Sequence, residues 1–307
     1  MKRTHLTCRM PFRILASVIG LEGVLIGRVL STPQQPPKLA VPLSEVCNNE
    51  YDLEVKFGKA TPAVRQAEEK KASDCWTKKA KAGEKNLAKA YLVKADLTGA
   101  SLVGANLSSA RLDGANLTKI SLHNANLTEA SLHGANLTGG RFWGADLTKA
   151  SLLDANLTKT EFKDAKLIEA HLTGATLTQT NFTSANLTKA YFEVKKDDKR
   201  AVVDLTTATL RSANLTGAVL RGTNLSGVHL FALGVNLKEA DLEGANLTGA
   251  KLIGMDLTGA HFDEANLTGA DMTNANLTKT NFRDALAKGL KLTGAINSGH
   301  VLAQVKK

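Results

Sequence analysis

A period of five residues runs from Lys85 to about Gly294, and no other feature restricts the fold of this chain as strongly. One copy reads Ala135-Asn136-Leu137-Thr138-Gly139, and a later one reads Ala145-Asp146-Leu147-Thr148-Lys149. Between them stands Gly140-Arg141-Phe142-Trp143-Gly144. The centre is usually Leu, with Phe142, Phe162, Phe182, Phe262, Phe282 and Met272 as variants. Two residues earlier stands Ala, or Val203, Val228 and Val235. The residue between is mostly Asn or Asp, and Thr usually follows the centre. On an extended backbone, residues i and i−2 point the same way. Ala and Leu therefore turn inward, and Asn and Thr outward. A five-residue period matches neither the 3.6 of an amphipathic helix nor a heptad. The fifth position is often Gly, Asn, Asp or Lys, residues suited to a corner.

The Phe spacing sets the next level. Phe142, Phe162 and Phe182 recur at one interval, and Phe262 and Phe282 repeat it. Stacking each Phe over the last requires about twenty residues per coil, hence four pentapeptides to a turn. The Asn/Asp-Leu-Thr copies fall on alternate pentapeptides, here called faces 1 and 3, and faces 2 and 4 carry varied outward residues. Corners after the varied faces hold Gly104, Gly114, Asn124, Gly134, Gly144, Asp154 and Asp164, which predicts type II turns there.

This tandem Ala-(Asp/Asn)-Leu-x-x pattern resembles the pentapeptide-repeat family over about two-thirds of the chain. The resemblance implies an all-β solenoid, a right-handed quadrilateral β-helix of about ten coils at four pentapeptides each. In relatives that bind DNA gyrase, corner loops help to engage the enzyme.

Four segments are expected: 1–40, 41–84, the repeats at 85–294 and a C-terminal cap or tail at 295–307. In the first, Lys2, Arg3, Arg9 and Arg13 precede the apolar run Ile14–Leu30, as in a signal peptide, although Glu22 and Arg28 interrupt it. Pro33, Pro36, Pro37 and Pro42 then mark a linker. The second should hold a helix from Ala63 to about Ala82, with Thr61-Pro62 at its start and Gly83 past its end. Val64, Ala67, Ala72, Cys75, Trp76 and Ala80 fall near one stripe. This helix is read as an N-terminal cap, because a solenoid end exposes unpaired backbone. The alternative is a partner-binding helix. Cys47 and Cys75 could pair in an oxidising compartment.

The register breaks after Phe192, where 193–202 form a loop insertion carrying Lys195, Lys196, Asp197, Asp198, Lys199 and Arg200. A two-residue insertion follows near Ala232–Gly234. Past Phe282 the pattern decays through Ala287 and Leu292.

No catalytic constellation, phosphate-binding loop, cofactor motif or zinc spacing is present, so the chain is read as non-enzymatic, without cofactor, metal or small-molecule substrate. Net charge is +10, spread diffusely, with no Lys/Arg cluster interleaved with aromatics. Nucleic acid is therefore disfavoured. Face 4 holds the outward residues that differ most: Arg141, Trp143, Glu161, Lys163, Arg211, Phe231 and Ile253. Cross-strand neighbours about 4.8 Å apart should pair Arg141 with Glu161 and Trp143 with Lys163.

Three functions stay open: an exported scaffold with an unknown protein partner, a gyrase-binding DNA mimic, and lattice or glycan binding by the column Thr118, Thr138, Thr158 and Thr178. A homodimer is also left open.

Overall fold

The corners build the solenoid. Ala100 donates its N–H to the Leu97 carbonyl at 3.0 Å, which closes a four-residue turn. Gly99, third in that turn, has φ +65°, while Thr98 before it stays in the ordinary region. That combination defines a type II turn. The same 3.0 Å bond recurs five residues on, from Ala105 to Leu102. A computed structural model describes residues 61–193, 202–230 and 233–306. All of them lie in one compact unit, Val41–Lys307.

Positive φ is not confined to the corners after faces 2 and 4. Lys119, Lys149, Lys159 and Lys279 adopt φ between +56° and +59° at corners after faces 1 and 3. Lysine does not announce a left-handed backbone, so the sequence underestimated how uniform the corners are. Thr207 stands at a corner position but does not take positive φ, in keeping with the cost of a branched Cβ there.

Coils stack through parallel bridges twenty residues apart, from Asn86↔Asn106 onward. The typical bridge is reciprocal. Leu117 N–H donates to the Asn136 carbonyl at 2.7 Å, and Asn136 N–H donates to the Ala115 carbonyl at 2.9 Å. One coil therefore holds four pentapeptides. Phe182 N–H reaches Thr209 and Leu215 N–H reaches Asn236, so the two insertions lengthen single coils and the ladder resumes beyond them. The insertions total ten residues, half a coil. Phe262 and Phe282 therefore stack on face 2, whereas Phe142, Phe162 and Phe182 stack on face 4.

The core follows the period. Leu137, Phe162 and Ala135 are 0% exposed, and Val203, Val228 and Val235 are buried in Ala positions. Thr160 and Thr180 replace Ala and donate their hydroxyls to the carbonyls of Leu137 and Leu157, so neither is left unpaired. Gly140 stands in another Ala position, where the core leaves little room. A Cβ there would meet the Phe142 ring at 3.0 Å and the Leu137 carbonyl oxygen at 3.0 Å.

Helix α1 spans Pro62–Lys81. Gly83, φ +82°, ends it. Its N–H bonds to the Ala80 carbonyl, and Glu84 N–H bonds to that of Lys79, the two bonds of a Schellman motif. Ala72 and Ala80 are buried, Trp76 packs partly against the core, and Ser73 Oγ donates to the Val93 carbonyl at 2.8 Å. Ala67, expected on the same stripe, is exposed, and the Val64 side chain lies outside the description. The packed face is thus narrower than the stripe.

At the other end the ladder outlasts the sequence pattern. Asp271↔Lys291, Asn276↔Ile296 and Leu286↔Lys306 are still bridged. Helix α2, Gly299–Gln304, buries Val301 beneath this end. Leu286 and Ile296 point outward, 48% and 56% exposed, where Asn266 and Asn276 stand one coil earlier.

Candidate interaction face

Arg141 and Trp143 flank the buried Phe142 on face 4, and the register extends both columns. Ser121, Arg141, Glu161, Asn181 and Thr209 are bridged in succession. The column on the far side of the centre runs His123, Trp143, Lys163, Thr183 and Arg211, joined by N–H bonds from Asn124 to Trp143 and from Gly144 to Lys163. Trp143 is 45% exposed. Its indole N–H donates to Glu161 Oε2 at 2.5 Å, and its ring meets that of His123 edge-on at 4.7 Å. His123 Nδ1 is buried and has no hydrogen-bond partner. The tryptophan is therefore held on two sides, by a carboxylate from one adjacent coil and an imidazole from the other.

Two expected contacts are corrected. Arg141 and Glu161 are bridged through their backbones, but the Glu161 carboxylate is taken by Trp143. Trp143 turns toward His123 and not onto Lys163. Residues twenty before and twenty after a side chain are equidistant from it, and the sequence does not choose between them. Counting backward as well as forward would have brought His123 into the candidate set.

Arg211 is exposed and Ile253 half-buried further along the same column. Phe231 lies outside the described residues, and so do the loop residues Lys195, Lys196, Asp197, Asp198, Lys199 and Arg200. At the root of that loop, Arg221 Nε lies 4.0 Å from Glu193, 2.7 Å from Asp241 and 3.6 Å from Glu243. The Asp241 bond chiefly holds the guanidinium above its ordinary pKa. Cys75 is disulfide-bonded, while Cys8 and Cys47 lie outside the described residues.

On faces 1 and 3 many Asn and Thr side chains satisfy one another. Asn116 Oδ1 accepts from the Thr118 N–H at 3.2 Å and from its hydroxyl at 2.6 Å. Asn136 and Asn156 hold Thr138 and Thr158 in the same way. The hydroxyl protons of these three threonines are thus spent within their own pentapeptides, as in other local side-chain turns.

Among the described residues no group of three His, Cys, Asp or Glu side chains could hold a metal, and no helix is long and apolar enough to cross a membrane. His123 and His133 sit on opposite faces, apart as the register required.

The pattern of the family described as pentapeptide repeats matches in eight copies over residues 86–193, 203–230 and 234–296. This chain belongs to the pentapeptide-repeat family. Among solved family structures, HetL, involved in heterocyst differentiation regulation in the cyanobacterium Nostoc, is 35% identical. That match covers 63% of this chain and 85% of HetL, with a TM-score of 0.38. Full-length QnrB1, a plasmid-mediated fluoroquinolone resistance protein, is 19% identical over 66% of this chain and 98% of its own, at 0.41. A pentapeptide repeat protein of the Arabidopsis thaliana thylakoid lumen is 27% identical over 39% of this chain and 68% of its own, at 0.16. No curated protein matches the chain.

Proposed function

We propose that this pentapeptide-repeat protein is a non-enzymatic scaffold that recognises a protein partner through face 4 around Trp143. The observation that carries the reading is Trp143 itself, 45% exposed yet oriented by Glu161 and His123. Burial gives no reason for a tryptophan at an outward position, and Trp and Arg dominate binding hot spots. In the candidate lattice column the hydroxyl donors of Thr118, Thr138 and Thr158 are already engaged, which weighs against lattice or glycan binding. DNA mimicry calls for a rod of negative potential, whereas this chain carries +10.

The architecture that goes with this reading is a right-handed quadrilateral β-helix of about ten coils, with α1 as its N-terminal cap. Export is part of the proposal. It is supported by the basic and apolar order of residues 1–40 and by the disulfide at Cys75, with Cys47 as the proposed partner. Loop 193–202 is proposed as a second contact region on a different corner.

The test is a pull-down with wild type, Trp143→Ala and a loop deletion, each first checked for unchanged melting. Loss of a partner from Trp143→Ala is expected. Equal recovery of the same partners by all three chains rejects the surface.

A further inference from the structure

We propose that face 4 takes an acidic segment of the partner polypeptide, with an apolar side chain on Trp143 and its carboxylates on Lys119, Arg141, Lys159 and Lys163. This rests on the partner-surface reading above and adds the chemistry of what binds.

The register brings the four cations together. Arg141 lies on the Trp143 strand, Lys163 follows Trp143 in its column, and Lys119 and Lys159 are the corners that lead into face 4 one coil on either side. All four are exposed. Lys119 leans toward the Trp143 coil, since its stem lies 3.7 Å from where a Gly139 Cβ would be. Elsewhere the fold pairs such residues across one coil, as Lys149 with Glu169, Lys166 with Asp146 and Lys251 with Asp271. Among the described residues none of the four face-4 cations joins an ion pair.

For Arg141, Trp143 is the reason. Glu161 is bridged to Arg141 and would be its natural counter-ion, but the indole N–H holds that carboxylate. The tryptophan thus supplies an apolar platform and also leaves Arg141 unneutralised. Positive groups around an aromatic anchor are complementary to an acidic chain bearing one apolar residue. A nucleic acid is less well matched, because affinity there grows with phosphates neutralised, on the order of six to ten in tight complexes. This patch is compact and includes the carboxylates Glu161 and Asp164.

The experiment uses the full chain and a fluorescein-labelled dodecapeptide of Glu and Asp with one central Phe, read by anisotropy. A Gln/Asn version of the peptide and a dT12 oligonucleotide are the comparison probes. Arg141→Glu with Lys163→Glu should weaken acidic-peptide binding by about tenfold or more, while Lys189→Glu with Lys279→Glu, equal in charge but elsewhere, should change it less than about twofold. Trp143→Phe, which keeps an aromatic ring but frees Glu161 to face Arg141, should also weaken binding, and adding Glu161→Gln should restore it. Equal losses from both charge-reversal pairs, equal binding of the neutral peptide, or tighter binding of dT12 overturns the proposal. A partner whose capture depends on Trp143 but survives Arg141→Glu with Lys163→Glu would reject the acidic chemistry and leave the partner surface standing.

Discussion

Glu161 accepts the indole N–H of Trp143 across one coil, although the backbone bridge sets Glu161 opposite Arg141. One carboxylate thus has two neighbours of different chemistry, and the pairing it makes determines the charge of face 4.

Beneath that face, Gly140 and Phe142 compete for space. A Cβ at Gly140 would stand 3.0 Å from the Phe142 ring and 3.4 Å from Ile120. Gly140→Ala should destabilise by about 1–3 kcal/mol, the usual cost of overpacking. Phe142→Leu in the same chain should recover much of that loss. A chemical-denaturation double-mutant cycle would show additive losses if the two positions do not compete.

Leu137 is 0% exposed, so Leu137→Ala should cost about 2–5 kcal/mol. Leu137→Asp should do more, placing an unpaired charge in a dry core. Thermal melting of Leu137→Asp at the wild-type temperature would mean that Leu137 does not face inward.

The corners make a backbone prediction. Lys279 adopts φ +59°. Lys279→Gly should leave stability unchanged or raised, while Lys279→Val should lose roughly 1–2 kcal/mol, because a branched Cβ crowds the left-handed region. Equal melting of the two variants would contradict the type II assignment.

Acid stability should depend on the Asp-Thr turns. The Thr258 hydroxyl, then its backbone N–H, holds the Asp256 carboxyl below the usual range, and the Thr273 hydroxyl does the same for Asp271. Both pKa values are depressed in the folded chain. Their contribution is therefore full above the unfolded carboxylate range, about pH 4, and is lost as pH falls through the folded values. Thr258→Val with Thr273→Val should lower the melting temperature at pH 7 more than at pH 3. An equal effect at both would remove the carboxylates from the explanation.

Much of this architecture is legible in the period alone. Alternation fixes Leu137 and Ala135 as inward, and the Phe interval fixes the coil. Direction along a column is not legible, because His123 and Lys163 are equivalent neighbours of Trp143 until side-chain packing separates them. Nor is the C-terminal end. Backbone bridging continues through Leu286 and Ile296 whatever their side chains, so the ladder persists where the residue pattern fades. Lys119 and Lys159 were hidden for the same reason as their φ: a corner lysine reads as ordinary surface.

The most direct measurement of the partner surface is site-specific photo-crosslinking in cells. A benzophenone amino acid would replace Thr183 or Arg211 on face 4, or Thr138 on face 3. One shared adduct is expected from Thr183 and Arg211 and none from Thr138. An adduct from Thr138 with neither face-4 position reacting would contradict that surface.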